Sequence, residues 1–278
     1  MKVQTDGAWQ LKPLLAIIPD SYAGFKKGMD VDGRVSLAAT AKGTLTDTTM
    51  PMVDARVQME GGRFSYPAAL PYTLYNIRGD VAAHVDMSRG GVSGARIHRL
   101  SAQTQGSKVS VTGRADNLMG DMKVDAHVIG ALPLEDLLPL VPEGMAVDAL
   151  GDADLDVQAC FTMSQLKRQA FDQMKATGSL KLANVDVTLD SIHASVPQFD
   201  LSLQLPSKAW DNKVADVTLK TQKLRMESGN SINAKLEYAD INIGVNNLLK
   251  ETLQAAWGIS LGEAEAKMAE IAALVKSL

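Results

Sequence analysis

Alternation of apolar and polar residues runs through the first half of the chain. In "RVSLAATAKG" every second residue from Val35 to Ala41 is apolar, and "DVAAHVDM" places its apolar residues opposite Asp80, His84 and Asp86. A period of two gives a strand one apolar and one polar face. Clusters of Gly, Pro, Asn and Asp interrupt these runs at short intervals. The pattern predicts a meander of antiparallel strands rather than βαβ units.

The second half of the chain has the same pattern. "GDADLDVQA" alternates small or apolar residues with Asp152, Asp154 and Asp156. "GSLKLANVDVTL", "FDLSLQL", "ADVTLKT" and "SINAKLEYADINIGV" follow it. We therefore expect a second antiparallel meander of similar length.

The two halves also align with each other. "LLAIIP" at residues 14–19 returns as "LLPLVP" at residues 137–142, "GRVSLAATA" aligns with "GDADLDVQA", and "ARVQMEGG" aligns with "GSLKLANV". The hexamer is read as the end of a helix that Pro19 or Pro142 terminates. The alignment predicts a tandem repeat of a short helix followed by an antiparallel meander.

The repeat divides the chain into two copies and a tail. We expect the first helix-plus-sheet repeat over residues 1–131, the second over residues 132–245, and a C-terminal helical segment over residues 246–278. In that segment "SLGE" has the spacing of a capping box and precedes an apolar stripe at helical spacing. These features predict a helix over about Leu261–Lys276.

Composition narrows the class of protein. The chain has 278 residues, of which 46% are hydrophobic and only 5% aromatic, with a net charge of −4. The absence of a basic tract makes nucleic acid an unsuitable partner. Cys160 is the only cysteine, which rules out an intrachain disulfide. The longest apolar runs are too short to span a bilayer, and "MKVQTDGAW" is not a signal peptide.

Motifs that would carry chemistry are missing from the sequence. "DADLD" lacks the Gly and Glu that complete a calcium-binding loop, and "GGVSG" lacks the spacing of a serine-nucleophile elbow. The histidines have no metal-ligand spacing. We therefore predict no catalytic residue, no metal site and no cofactor, and expect a protein that is not an enzyme. The histidines are His84, His98, His127 and His193.

Two longer runs carry a resemblance to a known family. "MVDARVQMEGGRFSYPAALPYTLYNIRGDV" and "ARIHRLSAQTQGSKVSVTGRAD" resemble the AsmA-like proteins of Gram-negative envelopes, and the resemblance extends to about Val245. The matching positions are Pro51, Gly62, Phe64, Tyr66, Pro67, Pro71, Asn76, Gly79, Leu100, Gly106, Val111 and Gly113.

The resemblance implies a function in the cell envelope. Members of the family look like long β-grooves that an N-terminal transmembrane helix anchors in the inner membrane. The resemblance therefore implies that the two repeats form a curved, elongated, groove-like sheet. They are implicated in lipid transport between the membranes or in outer-membrane biogenesis and homeostasis. By resemblance, this chain is a periplasmic fragment whose parent protein carries the anchor, and its partners are phospholipid or fatty acyl chains.

An apolar sheet face must be covered by something. It can close on itself, pack against helices, or hold an apolar ligand. Alanines such as Ala39 and Ala83 leave room for acyl chains, although alanine also serves ordinary packing. A structural spacer or scaffold with a fully covered face is therefore the alternative, and a hydrolase or lectin-like β-domain is a third. The predicted lipid-facing residues are Val35, Leu37, Val57, Met59, Val85, Val111, Val124, Leu155, Leu182, Leu203 and Leu236.

Overall fold

The computed structural model describes residues 2–4, 9–13, 28–44, 51–67, 70–86, 92–140, 147–189, 191–228, 232–246, 254–261 and 264–268. These residues are mainly β, and their paired strands are antiparallel, as the alternating pattern predicts. The chain forms two compact units. The first comprises Met1–Ile129 and Gln158–Ala170, and the second comprises Gly130–Val157 and Phe171–Leu278.

The described residues include fifteen strands, three short helices and three more helical residues at positions 11–13. The three helices are a 3-10 helix at Leu134–Leu140, an α-helix at Met163–Lys167 and a 3-10 helix at Phe171–Gln173. The strands are β1 (Lys2–Gln4), β2 (Trp9–Gln10), β3 (Asp30–Lys42), β4 (Met52–Tyr66), β5 (Leu70–Asp86), β6 (Val92–Gln103), β7 (Lys108–Asp116), β8 (Lys123–Pro133), β9 (Val147–Thr162), β10 (Lys175–Leu189), β11 (Ile192–Leu205), β12 (Ala215–Ser228), β13 (Ile232–Asn246), β14 (Gln254–Leu261) and β15 (Ala264–Met268).

Strand order in the first unit follows the chain from β3 to β8, while β1 and β2 both pair with β3. Short turns with local hydrogen bonds make this order possible. Between β6 and β7 the Thr104 amide donates to the Ser107 carbonyl at 2.9 Å. Between β7 and β8 Asn117 takes a φ of 59°, and its carbonyl accepts from the Gly120 amide at 3.1 Å. Asparagine tolerates this left-handed conformation, which makes it suitable for a tight turn.

Bulges interrupt the long strands of the first unit. The pairing of β4 with β5 shifts register between Met59 and Gly62, next to Gly61 with its φ of 66°. Asn76 has a φ of 48° within β5. A bulge places one extra residue in one strand, so residues on either side can share a face despite an odd spacing. Simple counting by twos therefore fails across these positions.

The second unit has its strands in chain order from β9 to β14, and β15 pairs with β13 beyond the end of β14. A cluster of buried apolar residues lies beneath the 3-10 helix, which contributes Leu134. Because Pro139 lacks an amide hydrogen, residues 137–140, the described part of "LLPLVP", lie in this 3-10 helix and not in the predicted α-helix. The buried cluster is Leu134, Ala149, Ala153, Val185 and Val196.

The C-terminal helix predicted over Leu261–Lys276 is wrong for the part that the structure describes. Gln254–Leu261 and Ala264–Met268 are strands, both paired with β13. "AEAKM" alternates small or apolar with charged residues, so it satisfies a period of two as well as a helical pattern. The free edge of β13 supplies hydrogen-bond partners that a helix cannot use. Residues 269–276, and the "LLAIIP" segment at residues 14–19, lie outside the described residues.

Candidate functional site

Among the described residues of β2 to β7, one face of the first unit carries three neighbouring rows without a charged side chain. Residues that are direct partners across an antiparallel pair project from the same face. Following the partners from β2 or β3 toward β7 gives three rows of apolar residues and glycines, which we call the apolar face of the first unit. The rows are Trp9, Val35, Met59, Gly79, Leu100 and Val111; Leu37, Val57, Val81, Ile97 and Gly113; and Ala39, Ala55, Ala83, Ala95 and Ala115.

This face borders a buried residue beside Met59, and several of its own side chains are exposed. A Cβ built on Gly62 would meet Met59 Sδ at 3.0 Å and Ile77 Cβ at 3.2 Å, so these two side chains flank Gly62. Ile77 is buried. Further along the rows, Val57 is 40% exposed and Leu100 is 37% exposed. Large apolar side chains therefore remain in contact with solvent in the middle of a continuous apolar surface.

The second unit repeats this arrangement with larger side chains. Four rows from β10 to β13 form its apolar face, and their one polar residue is Thr221, which is buried. The Thr221 hydroxyl donates to the Gln198 carbonyl at 3.3 Å, which satisfies its polar group locally. Three rows cross all four strands, and the fourth consists of the separate pairs Ala176–Leu205 and Ala215–Val245. The three complete rows are Gly178, Leu203, Val217 and Ile243; Leu180, Leu201, Leu219 and Ile241; and Leu182, Phe199, Thr221 and Ala239.

The 3-10 helix shields only part of the apolar side of the second unit from solvent. Leu134 from the 3-10 helix is 9% exposed and packs in the cluster with Val185 and Val196. Phe199 and Leu182 pack against that cluster as partly buried residues. Leu203, in the same strand as Val196, is 36% exposed. The helix thus shields one part of this side and leaves the part around Leu203 accessible.

The structure brings many of the predicted lipid-facing residues together. Val35 is the direct partner of Met59, and Leu37 is the direct partner of Val57. All eleven are half-buried or exposed, and none is buried. Their contact with lipid stays a prediction. The remaining positions are Val85 in β5, Val111 in β7, Val124 in β8, Leu155 in β9, Leu182 in β10, Leu203 in β11 and Leu236 in β13.

Sequence reasoning missed the residues that lie beyond the bulges. Leu100 joins the row of Val111 only because the pairing of β6 with β7 shifts between Ile97 and Leu100. The signal available for β4 was the pair of glycines in "MEGG", since glycine within a strand pattern often marks a bulge. In β6 no glycine marks the shift.

The opposite, polar face of the first unit holds paired charges. Arg56 donates two hydrogen bonds to Asp80, at 2.8 and 2.6 Å, and Gln58 donates a third at 3.3 Å. The bond from Arg56 is the main reason that the pKa of Asp80 falls to about 2. Nearby, His84 Nδ1 lies 2.6 Å from Asp54 Oδ1. These contacts tie β4 to β5 across the solvated side of the sheet.

Acid should weaken the contribution of Asp80 to stability. Because its pKa is lower in the folded chain than in the unfolded chain, the contribution is present above about pH 4. It is lost as the pH falls toward 2. We expect Asp80→Asn to lower the urea midpoint at pH 5 and to have less effect at pH 2.5. Asp154→Asn, at an exposed position of β9, is the control. A difference between wild type and Asp80→Asn that is equal at both pH values would contradict the prediction.

The described residues form neither a membrane-spanning helix nor a cluster of metal ligands. Within the described ranges, no helix combines the length and hydropathy needed to cross a membrane. Across those ranges, no three His, Cys, Asp or Glu side chains converge as metal ligands would. Comparisons of the chain with models of protein families, with curated proteins and with solved structures give no match. The residues of the two apolar faces are therefore the basis for a functional proposal.

Proposed function

We propose that the apolar faces hold the acyl chains of phospholipid or fatty acid. The chain would then be a non-catalytic periplasmic module of an AsmA-like envelope protein, active in lipid transport and outer-membrane biogenesis or homeostasis. The periplasmic location and the inner-membrane anchor of a parent protein rest on the sequence resemblance. The observation that carries the proposal is the apolar face of the first unit, on which Val57 and Leu100 remain exposed.

Physical chemistry favours an apolar ligand on such a surface. Exposed apolar patches of more than a few hundred Å² mark binding sites in soluble proteins. An acyl chain has no polar group that needs a partner, and each buried methylene contributes about 0.8 kcal/mol before the entropy of binding is counted. About ten buried methylenes would therefore contribute roughly 8 kcal/mol in gross terms. A charge-free face imposes no desolvation penalty on this contact.

A row of alanines supplies the space for a chain. The row crosses β3 to β7 with one alanine in each strand, beside a row of larger residues that includes Leu37, Val57 and Ile97. Small side chains beside larger ones produce a shallow channel that crosses the strands. The alanine row is Ala39, Ala55, Ala83, Ala95 and Ala115.

The tandem repeat and the groove are part of this proposal. Gly33 and Gly151, which align in the repeat, have φ values of 143° and 131°. Gly61 and Asn184 also align, and both have positive φ, at 66° and 52°. Few residues tolerate these conformations, so their recurrence at equivalent positions supports two copies of one unit. Two such copies would have two similar apolar faces, each able to bind the same class of ligand.

A structural scaffold is the second candidate function. The observation that favours it is the 3-10 helix of the second unit, where Leu134 covers Val185 and Val196 as an ordinary core would. If further segments cover the remaining apolar surface in the same way, the chain would bind no ligand and would act as a spacer or interaction module.

Lipid extraction separates the two candidates. We expect organic extraction of the purified chain, followed by mass spectrometry, to yield phospholipid or fatty acid in near-stoichiometric amount. Leu203→Asp should reduce the yield several-fold, because it places a charge on the accessible part of the second apolar face. Ser202→Asp is the matched control, since the preceding residue of β11 projects to the polar face.

Each outcome assigns the function differently. Loss of lipid in Leu203→Asp but not in Ser202→Asp supports the acyl-chain proposal. A wild-type chain without extractable lipid, although it was purified without detergent, supports the scaffold. Equal loss in both variants would show that the retained lipid does not lie on the apolar face.

A further inference from the structure

The polar face of the first unit contains a recess lined by basic side chains. Its volume is about 450 Å³. We propose that this arginine recess, formed around Arg96 and Arg114, binds a phosphate group. The proposal is independent of the acyl-chain function, because Arg96 and Arg114 belong to a row on the opposite face of the sheet. Its lining also includes Ala38, Thr40, Asp54, Ala55, Arg56, Ala82, Ala83, His84, Gly94, Ala95 and Asp116.

Two like charges are paired directly at the centre of the recess. Arg96 in β6 and Arg114 in β7 are Cα partners in the antiparallel ladder. Like charges directly opposite each other destabilise a sheet unless a counter-charge lies between them. Among the residues that the structure describes, none forms an ion pair with Arg96. The Arg96–Arg114 pair is therefore an arrangement that an anion would stabilise.

Neighbouring carboxylates leave this pair incompletely neutralised. The Arg114 Nε atom lies 3.9 Å from Asp116 and 3.7 Å from Asp125, longer than a hydrogen bond. Asp80 and Asp54 lie closer to the other basic groups, at 2.6 Å from Arg56 and 2.6 Å from His84. Guanidinium groups at the centre of the recess thus keep N–H donors that no described carboxylate engages at hydrogen-bond distance.

Short side chains provide the space for a ligand beside the pair. The row that crosses the recess runs Ala38, Arg56, Ala82, Arg96 and Arg114, so Ala82 separates Arg56 from the arginine pair. A neighbouring depression of about 450 Å³ on the same unit shares Arg96 and Arg114. The two guanidinium groups are consequently accessible from both sides.

The chemistry of the pair selects a phosphate group. A guanidinium donates two parallel hydrogen bonds to an oxyanion, and two guanidiniums can hold one tetrahedral group from two sides. A phosphate dianion also offsets both positive charges, whereas a carboxylate offsets one. The same group could come from free phosphate or from a phospholipid headgroup.

Titration with inorganic phosphate tests the proposal on the full chain. At constant ionic strength, with chloride as the competing anion, we expect saturable binding by isothermal titration calorimetry. Arg96→Ala and Arg114→Ala should each weaken binding at least tenfold. Arg63→Ala is the matched control, since Arg63 and Arg114 are both 50% exposed, but Arg63 lies 3.3 Å from Asp30 and opposite Asp32.

A second arm identifies the source of the phosphate group. Vesicles of phosphatidic acid in phosphatidylcholine are compared with vesicles of phosphatidylcholine alone in a co-sedimentation assay. Binding of inorganic phosphate or of phosphatidic acid vesicles that depends on Arg96 and Arg114 but not on Arg63 supports the proposal. Binding of phosphate indicates free phosphate as the source of the group, and binding of vesicles alone indicates a lipid headgroup. Absence of binding in both arms overturns it, and so does equal weakening by all three substitutions. Circular dichroism of each variant confirms that the exposed substitutions leave the fold intact.

Discussion

Gly151→Ala is expected to destabilise the second unit by about 3 kcal/mol or more, through strain and steric overlap together. Gly151 has a φ of 131°, where an L side chain is strained. A Cβ at this position would lie 2.9 Å from the Ala183 carbonyl oxygen and 3.0 Å from that of Asn184. Both atoms belong to the backbone of β10, so a rotamer change cannot relieve the overlap. Strand β9 would have to move away from its neighbour.

Urea unfolding followed by circular dichroism measures this effect. The matched control is Gly178→Ala in β10, where the nearest atom to an added Cβ is Val157 Cγ2 at 3.5 Å, an ordinary contact. We expect the control to change the free energy of unfolding by less than about 1 kcal/mol. Similar stability of the two variants would show that β9 and β10 are not as closely apposed at Gly151 as the structure places them.

Val196→Asp should be the more disruptive of two aspartate substitutions in β11. Val196 is 7% exposed and lies in the cluster with Leu134 and Val185. A carboxylate here would lose its hydration without gaining a partner, which costs several kcal/mol even after its pKa rises. We expect a loss of about 4 kcal/mol or a failure to accumulate as soluble protein.

Leu203→Asp in the same strand provides the comparison. Leu203 is 36% exposed, so the new carboxylate keeps part of its hydration and should destabilise by less than about 2 kcal/mol. If Val196→Asp does not fold, Val196→Thr replaces it, and a loss of about 1–2 kcal/mol is expected for the buried hydroxyl. If Val196→Asp and Leu203→Asp lower the free energy of unfolding equally, the two positions are equally shielded from solvent and the prediction is wrong.

The period-two pattern predicted the fold class because it depends only on local geometry. Val35, Leu37 and Ala39 share a face for the same reason that any alternate residues of a strand do. The pattern could not predict which apolar residues become buried. Val196 and Leu203 look alike in the sequence, and their burial differs because the 3-10 helix lies over only one of them. Such cover is a tertiary property.

Bulges and edges set the other limit on prediction from the sequence. Lys223 has a φ of 53° within β12, although nothing in "TQKLRM" marks a break. The segment "AEAKM" (β15) fits a helix by composition. It forms a strand because the edge of β13 beside it offers unpaired backbone groups. The sequence did not predict the arginine recess either. Its residues Arg56, Arg96 and Arg114 are far apart in the chain and come into one row only through strand pairing.

The arrangement of neighbouring strands in chain order has a consequence for how each unit forms. In the stretches from β3 to β7 and from β10 to β13, every strand pairs with the strand that precedes or follows it. Each pairing closes a short loop, so little chain entropy is lost before contacts form. A unit built in this way can add one hairpin at a time as the chain emerges from the ribosome. Its terminal strands can also separate without opening the centre, so local fraying requires less free energy than global unfolding.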